Sequence, residues 1–133
     1  MTAFLHIAIC GAGPAGLSAA LALHRLGHRV TLFEQFEAPR PLGSGLILQP
    51  SGLAVLDWLG LGERMRGLGA RIDRLYGKAS ISGRVVLDVR YAALGNARGL
   101  AVHRAALFNV LFEAVQHDGI GVETASAVKD LDG

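Results

Sequence analysis

The chain has 133 residues, half of them apolar, with thirteen Lys and Arg against eleven Asp and Glu. That length suits one domain, and the apolar half supplies a sizeable core and excludes a disordered polymer. The formal charge of +2 comes from dispersed basic residues with few aromatics among them, which gives no nucleic-acid footprint.

A single cysteine, Cys10, cannot close an internal disulfide, so a reducing cytoplasmic compartment is expected. Cys10 itself is read as a small packing residue at the end of a strand rather than a redox thiol. The five His are scattered and have no second Cys to join them, so no metal site is expected. The apolar start at Phe4 lacks a basic leader and reads as a strand, not a signal peptide. The stretch Gly11 to Leu23 is too short to span a bilayer, and no membrane span is expected.

In chain order, Leu5 to Cys10 reads as a strand that runs into Gly11-Ala-Gly13-Pro-Ala-Gly16. Gly11 permits a tight turn, Gly13 lets a pyrophosphate approach bare backbone, and Gly16 lets the following helix lie close on the sheet. Pro14 suits a first helical turn, where its missing N–H has no intrahelical partner to lose. The helix is expected over 14–26, with Leu17, Ala20, Leu21 and His24 at helical spacing, and Gly27 ends it. The free N–H groups and positive end of that helix suit a phosphate.

A second β-branched strand closes on Glu34, which lies 23 positions after Gly11. At that spacing a carboxylate accepts hydrogen bonds from ribose hydroxyls and repels a 2′-phosphate. Eighteen glycines among 133 residues produce a GxGxxG by chance easily enough. The order strand, glycine turn, helix, strand, acid makes the signal specific for a dinucleotide. The bland alternative is a tight βα turn that binds nothing.

Past Glu34 the pattern breaks at Pro39-Arg-Pro41, and Gly43-Ser-Gly45 leads into the apolar run Leu46 to Leu48. Gln49-Pro-Ser-Gly52 precedes a short helix with Leu53, Leu56 and Leu59, and Gly60 and Gly62 break the chain again. Residues 71–90 take strand character, with Ser82-Gly83 as the turn of a β-hairpin or meander. Residues 92–99 read as a loop. Ala101 to Arg104 then introduces a helix running to about Gln116, with Leu107, Val110, Leu111 and Ala114 along one stripe. His117-Asp-Gly119 ends it, and Ile120 to Val128 reads as the next strand of a parallel sheet.

Three segments together resemble the FAD-dependent aromatic hydroxylases, single-component flavoprotein monooxygenases similar to para-hydroxybenzoate and salicylate hydroxylases. They are Gly11 to Leu17 with Glu34; Arg40 to Pro50 followed by Leu56 and Leu59-Gly60-Leu61; and His103-Arg-Ala-Ala-Leu107 with Leu111. The resemblance implies an α/β, Rossmann-like FAD-binding fold with a parallel sheet and an inserted β-hairpin or meander, incomplete relative to the longer family members. Residues 1–133 would form the N-terminal part of that domain, with the β insertion at about 70–91.

The resemblance further implies that Gly11, Gly13, Ala15 and Gly16 surround the FAD pyrophosphate, that Glu34 holds the adenosine ribose, and that Arg104 reaches the phosphate or ribityl region. A guanidinium there offers fork-like donors to anionic phosphates, the alternative being a surface cation opening a helix. Arg40 and Gly45 carry over as cofactor contacts or, equally, as a solvated loop charge and a plain turn. Val128, ending the last strand, would approach adenine through backbone groups. Asp132-Gly133 is read as a surface turn.

The implied reaction uses NAD(P)H and O₂ to hydroxylate a small aromatic substrate, with the missing remainder of the polypeptide as a further partner. No catalytic acid, base or nucleophile is assigned within these residues. A halogenase, a reductase, an NAD-binding Rossmann domain and a non-catalytic nucleotide-binding remnant remain open as alternatives.

Overall fold

The computed structural model describes residues 4–38, 40, 43–95 and 97–130. The chain divides into two compact units, one built from residues 1–43 and 104–133 and the other from residues 44–103.

In the first unit, β1 (His6–Cys10) and β2 (Arg29–Phe33) pair in parallel, and β2 pairs in parallel with the terminal strand of the chain, Gly121–Glu123. Helix α1 (Pro14–Arg25) connects β1 to β2 as a crossover, the connection that parallel neighbours require. Leu17, Ala20 and Leu21 of α1 are buried, whereas His24 is exposed at the helix margin. They share a core with Val30 and Leu32 of β2 and with Leu107, Val110, Leu111 and Val115 of the helix Arg104–His117. Gly27, at φ +90°, turns the chain out of α1 with its N–H on the His24 carbonyl.

The second unit opens with β3 (Gly45–Leu48), α2 (Pro50–Trp58), the short α3 (Gly62–Arg66) and β4 (Ala70–Ile72). A hairpin follows, β5 (Arg74–Lys78) against β6 (Val85–Arg90), antiparallel with an irregularity at Gly77/Lys78. Its turn contains Gly83 at φ +66°, and the Gly83 N–H donates to the Ala79 carbonyl. A 3₁₀ turn (Tyr91–Leu94) leads into β7 (Gly99–His103), the central strand of an antiparallel sheet with β3 and β4 on either side. The core here is Leu53, Leu56, Leu59, Met65, Tyr91, Leu100 and Val102. Tyr91 is almost wholly enclosed, and its hydroxyl donates to Gln49 Oε1 at 2.7 Å.

Helix α4 (Arg104–His117) and β8 (Gly121–Glu123) return the chain to the first unit.

Four expectations change. Residues 99–103 form strand β7 rather than a loop and helix lead-in, because their amide groups pair with two other strands. The expected break at Gly60 and Gly62 contains α3. A side chain at Gly62 would run into the Asp57 carboxylate, so the close approach of α2 and α3 itself calls for glycine. The last strand stops at Glu123 rather than Val128, because Ala125 adopts φ 51° and the amides of Ala125 and Ser126 bond to the carbonyls of Phe36 and Glu34. Cys10 is exposed rather than packed, lying with His6 and Ala8 at the outward positions of β1. Pro39, Pro41 and the Asp132-Gly133 turn lie outside the described residues. Among the described residues no helix is long and apolar enough to cross a membrane.

Candidate functional site

The glycine turn is held at both ends. Gly11 takes φ +97°, a conformation a side chain would strain, and donates its N–H to the Phe33 carbonyl at the end of β2 at 2.7 Å. The next amide, that of buried Ala12, donates to Glu34 Oε2 at 2.8 Å. The other carboxylate oxygen, Oε1, accepts the Phe36 N–H at 3.1 Å. The Glu34 backbone donates to Glu123 and accepts from Ser126, both at 2.8 Å. Glu34 is therefore a junction of three segments, and among the described residues it is the only charged side chain that is buried.

Gly13 caps α1 in an extended conformation with no side-chain cap, Pro14 follows, and the first intrahelical bond closes from Leu17 N–H to the Gly13 carbonyl at 2.9 Å. The amides of Ala15 and Gly16 fall within that first turn, ahead of the regular ladder. A Cβ on Gly13 would meet nothing within 4 Å, whereas one on Gly16 would overlap the Gly11 carbonyl oxygen. The two glycines thus serve different ends: Gly13 leaves space open, and Gly16 closes the helix onto the turn.

A cavity of about 420 Å³ lies over this turn. Gly11, Ala12, Gly13, Glu34, Arg40, Arg104 and Val128 all line it, so the structure brings together six of the nine residues singled out from the sequence, with Ala12 added. Ala15 and Gly16 are not in its lining and act from the helix turn behind it. Gly45 belongs to the other unit, where it opens β3 opposite His103.

Arg104 begins α4, and its guanidinium lies against Gly43, where an added Cβ would come 3.1 Å from Nη1. Gly43 sits at φ +99°, so there both backbone and space favour glycine. The Arg40 guanidinium lies 5.0 Å from the centre of the Phe36 ring, within cation–π range. Val128 reaches the cavity from the irregular segment after β8, not from a strand end.

Residue-type reasoning missed Phe36, Phe108 and Ser126 in the lining. Phe108 was within reach, since it follows Arg104 by one helical turn. Ser126 carried no signal, because its place depends on the turn at Ala125.

Two guanidinium groups, a helix N-terminus and one carboxylate around a cavity of this size fit an elongated anion with a hydroxylated end. The parallel strand–turn–helix–strand arrangement with its buried terminal acid defines a Rossmann-like dinucleotide-binding fold. Within that class, the FAD binding domain family matches residues 5–132, and the chain belongs to it.

The chain is 34% identical over 133 residues to 3-hydroxybenzoate 6-hydroxylase 1 of Aquipseudomonas alcaligenes, covering 96% of this chain and 34% of that protein. It is 38% identical over 122 residues to phenazine 1,6-dicarboxylic acid hydroxylase PhzS of Lysobacter antibioticus, covering 89% of this chain and 29% of the relative. Among solved structures, the flavin-dependent halogenase CmlS superposes with a TM-score of 0.81 at 29% identity, over 99% of this chain and 24% of that one. The p-nitrophenol 4-monooxygenase PnpA of Pseudomonas putida DLL-E4, at 22% identity and a TM-score of 0.77 over 100% of this chain and 35% of that one, shares the fold. The chain spans about a third of the length of the curated relatives it matches.

The cavity fits the ADP half of FAD, because the space beside Gly13 is free of atoms where a phosphate would need to approach backbone.

Proposed function

We propose that this chain forms the FAD-binding portion of a flavin-dependent monooxygenase that hydroxylates a small aromatic substrate with NAD(P)H and O₂. The observation that carries the reading is the single cavity lined by the open face of Gly13, the Glu34 carboxylate and the Arg104 guanidinium. Family membership over residues 5–132 supports FAD as the nucleotide.

In this reading the amides of Gly13, Ala15 and Gly16 and the positive end of α1 receive the pyrophosphate. Arg104 and Arg40 offset its charge, and the carboxylate lone pairs of Glu34 left over from its two backbone bonds accept the ribose hydroxyls. Val128 borders the adenine. Gly45 is retained as a contact to the flavin portion on the strength of the family resemblance alone. Bound FAD supplies the redox chemistry, hydride acceptance from the nicotinamide and activation of O₂ for transfer to an electron-rich ring. This chain's residues bind and orient the cofactor, and none of them is assigned a proton transfer. We assign residues 1–133 to the N-terminal part of the FAD-binding domain and a cytoplasmic location to the protein.

The halogenase relationship gives a second reading with the same cofactor site. The deciding experiment incubates the protein with FAD, NAD(P)H and a hydroxybenzoate, with and without halide. Substrate-stimulated NAD(P)H oxidation with hydroxylated product supports the monooxygenase, and a halide-dependent product supports the halogenase. Absence of flavin uptake removes both.

A further inference from the structure

Among the described residues, strands β5 and β6 pair only with each other. A lone pair of strands is marginal unless one of its faces packs on something. Yet every residue from Ser80 to Arg90 is exposed. Ile81, in the turn, is fully exposed, and Val85, Val86 and Leu87 follow along β6 at 48, 60 and 45% exposure.

The turn does not call for Ile81. It is closed by the Ala79 N–H on the Arg84 carbonyl at 2.8 Å and by Gly83 at its positive φ. Turn positions favour Gly, Asn, Asp and Ser over a β-branched aliphatic side chain. A continuous exposed aliphatic run marks a surface that meets something apolar.

The same hairpin concentrates positive charge. Residues 74–90 carry four of the thirteen Lys and Arg but one of the eleven Asp and Glu, a balance of +3 against +2 for the whole chain. Asp88 is shared between Arg74, at 2.6 Å, and Arg90, at 3.3 Å. Lys78 and Arg84, on either side of the turn, form no ion pair among the described residues. The aliphatic apex therefore stands between two uncompensated cations.

This combination selects the partner. Two copies of the hairpin would bring like charges together, and a nucleic acid would leave the aliphatic run in water. An anionic bilayer meets both needs, with headgroups for the cations and an acyl boundary for the apex.

We propose that the β5–β6 hairpin docks on an anionic lipid surface, with Ile81 entering the boundary between headgroups and acyl chains and Lys78 and Arg84 on the headgroup anions. The cytoplasmic leaflet carries that charge. One aliphatic apex with a few cations gives a reversible contact rather than a permanent anchor. The hairpin shares no residue with the nucleotide cavity, so the two readings stand independently.

The test mixes the 133-residue chain with phosphatidylcholine vesicles, plain or containing about 30% phosphatidylserine, and measures binding by co-sedimentation. Binding to the anionic vesicles is expected to be at least about tenfold tighter than to the plain ones and to weaken as salt rises. Ile81→Ser keeps the charge and disturbs no packing, and is expected to weaken binding by about tenfold. Lys78→Gln combined with Arg84→Gln is expected to weaken it by about 25-fold, from about fivefold per basic residue. FAD affinity is expected to match that of the parent in both variants.

Equal binding to the two kinds of vesicle, or none by about 1 mM lipid, would overturn the proposal. An Ile81→Ser chain that binds like the parent would reduce the contact to charge alone and overturn it as well. Duplex DNA bound more tightly than the anionic vesicles reassigns the face to a nucleic acid. Self-association in place of vesicle binding, relieved by Ile81→Ser, reassigns it to a second copy. Either result overturns the lipid contact and leaves the nucleotide reading standing.

Discussion

Replacing Glu34 by Ala tests whether the acid of the fingerprint is also a structural clamp. The carboxylate is only 7% exposed and accepts the amides of Ala12 and Phe36 at 2.8 and 3.1 Å. Each hydrogen bond to a charged group contributes roughly 1.5–3 kcal/mol, and the partly buried Phe36 bond falls at the low end. Losing both therefore costs about 3–4.5 kcal/mol in the protein without nucleotide. At a urea m-value of about 2 kcal/mol/M, the denaturation midpoint falls by about 1.5–2.3 M.

Glu34→Gln keeps the shape but one of its two acceptors becomes an NH₂ facing an N–H, so about half the loss is expected. The assay is urea denaturation followed by far-UV circular dichroism, with FAD titration of each variant alongside. A Glu34→Ala midpoint within about 0.3 M of the parent would refute the clamp, even if flavin affinity dropped.

Three further outcomes rest on single observations. Gly13→Val keeps the folded stability of the parent, since its Cβ meets no atom within 4 Å and its φ is −77°, yet fills the approach to the turn. Its FAD affinity is expected to fall by about 100-fold, read by flavin fluorescence. Gly16→Ala does the reverse in order of cause: its Cβ overlaps the Gly11 carbonyl, so α1 is forced off the turn. The expected cost is ~1–3 kcal/mol, read by the same urea titration, and an unchanged midpoint would contradict the packing.

The third concerns pH. Hydrogen bonding from Arg74 across the hairpin, with Arg90 adding to it, holds the Asp88 carboxyl below its ordinary range. A carboxyl lowered in the folded state stabilises fully above the unfolded value, about 3.9, and loses that contribution as pH falls through the folded one. Carbon-13 titration of the Asp88 carboxyl should show a midpoint below that of an unstructured aspartate, and Arg74→Met should raise it. A midpoint at the ordinary value would contradict the ion pair.

The nucleotide half of the fold was legible because its determinants are local. Gly11, Gly13, Gly16 and Glu34 stand at fixed spacings along strand, turn and helix, and the structure uses each of the four in the turn or its lining. Strand β7 was not legible, since Gly99 to His103 is a five-residue stretch continuous with α4. Its identity comes from pairing with β3 and β4, which are distant in sequence. The overextension of β8 has a similar origin: Ile120 to Val128 alternates acceptably for a strand, but the amides of residues 125 and 126 are taken by the β2 exit. The structural role of Glu34 was hidden for a different reason. A fingerprint acid is spaced for a ribose, and nothing in that spacing shows that the same carboxylate also holds the Ala12 amide.

The most direct test is a titration of the purified chain with FAD, monitored by the backbone amides of residues 11–13, 15 and 16 and repeated with ADP and with Gly13→Val. Saturable shifts in those amides are expected, with competition between FAD and ADP for one site and loss of both in the variant. Flavin binding that leaves those amides unmoved, or that survives Gly13→Val undiminished, would contradict the placement of the cofactor on the glycine turn.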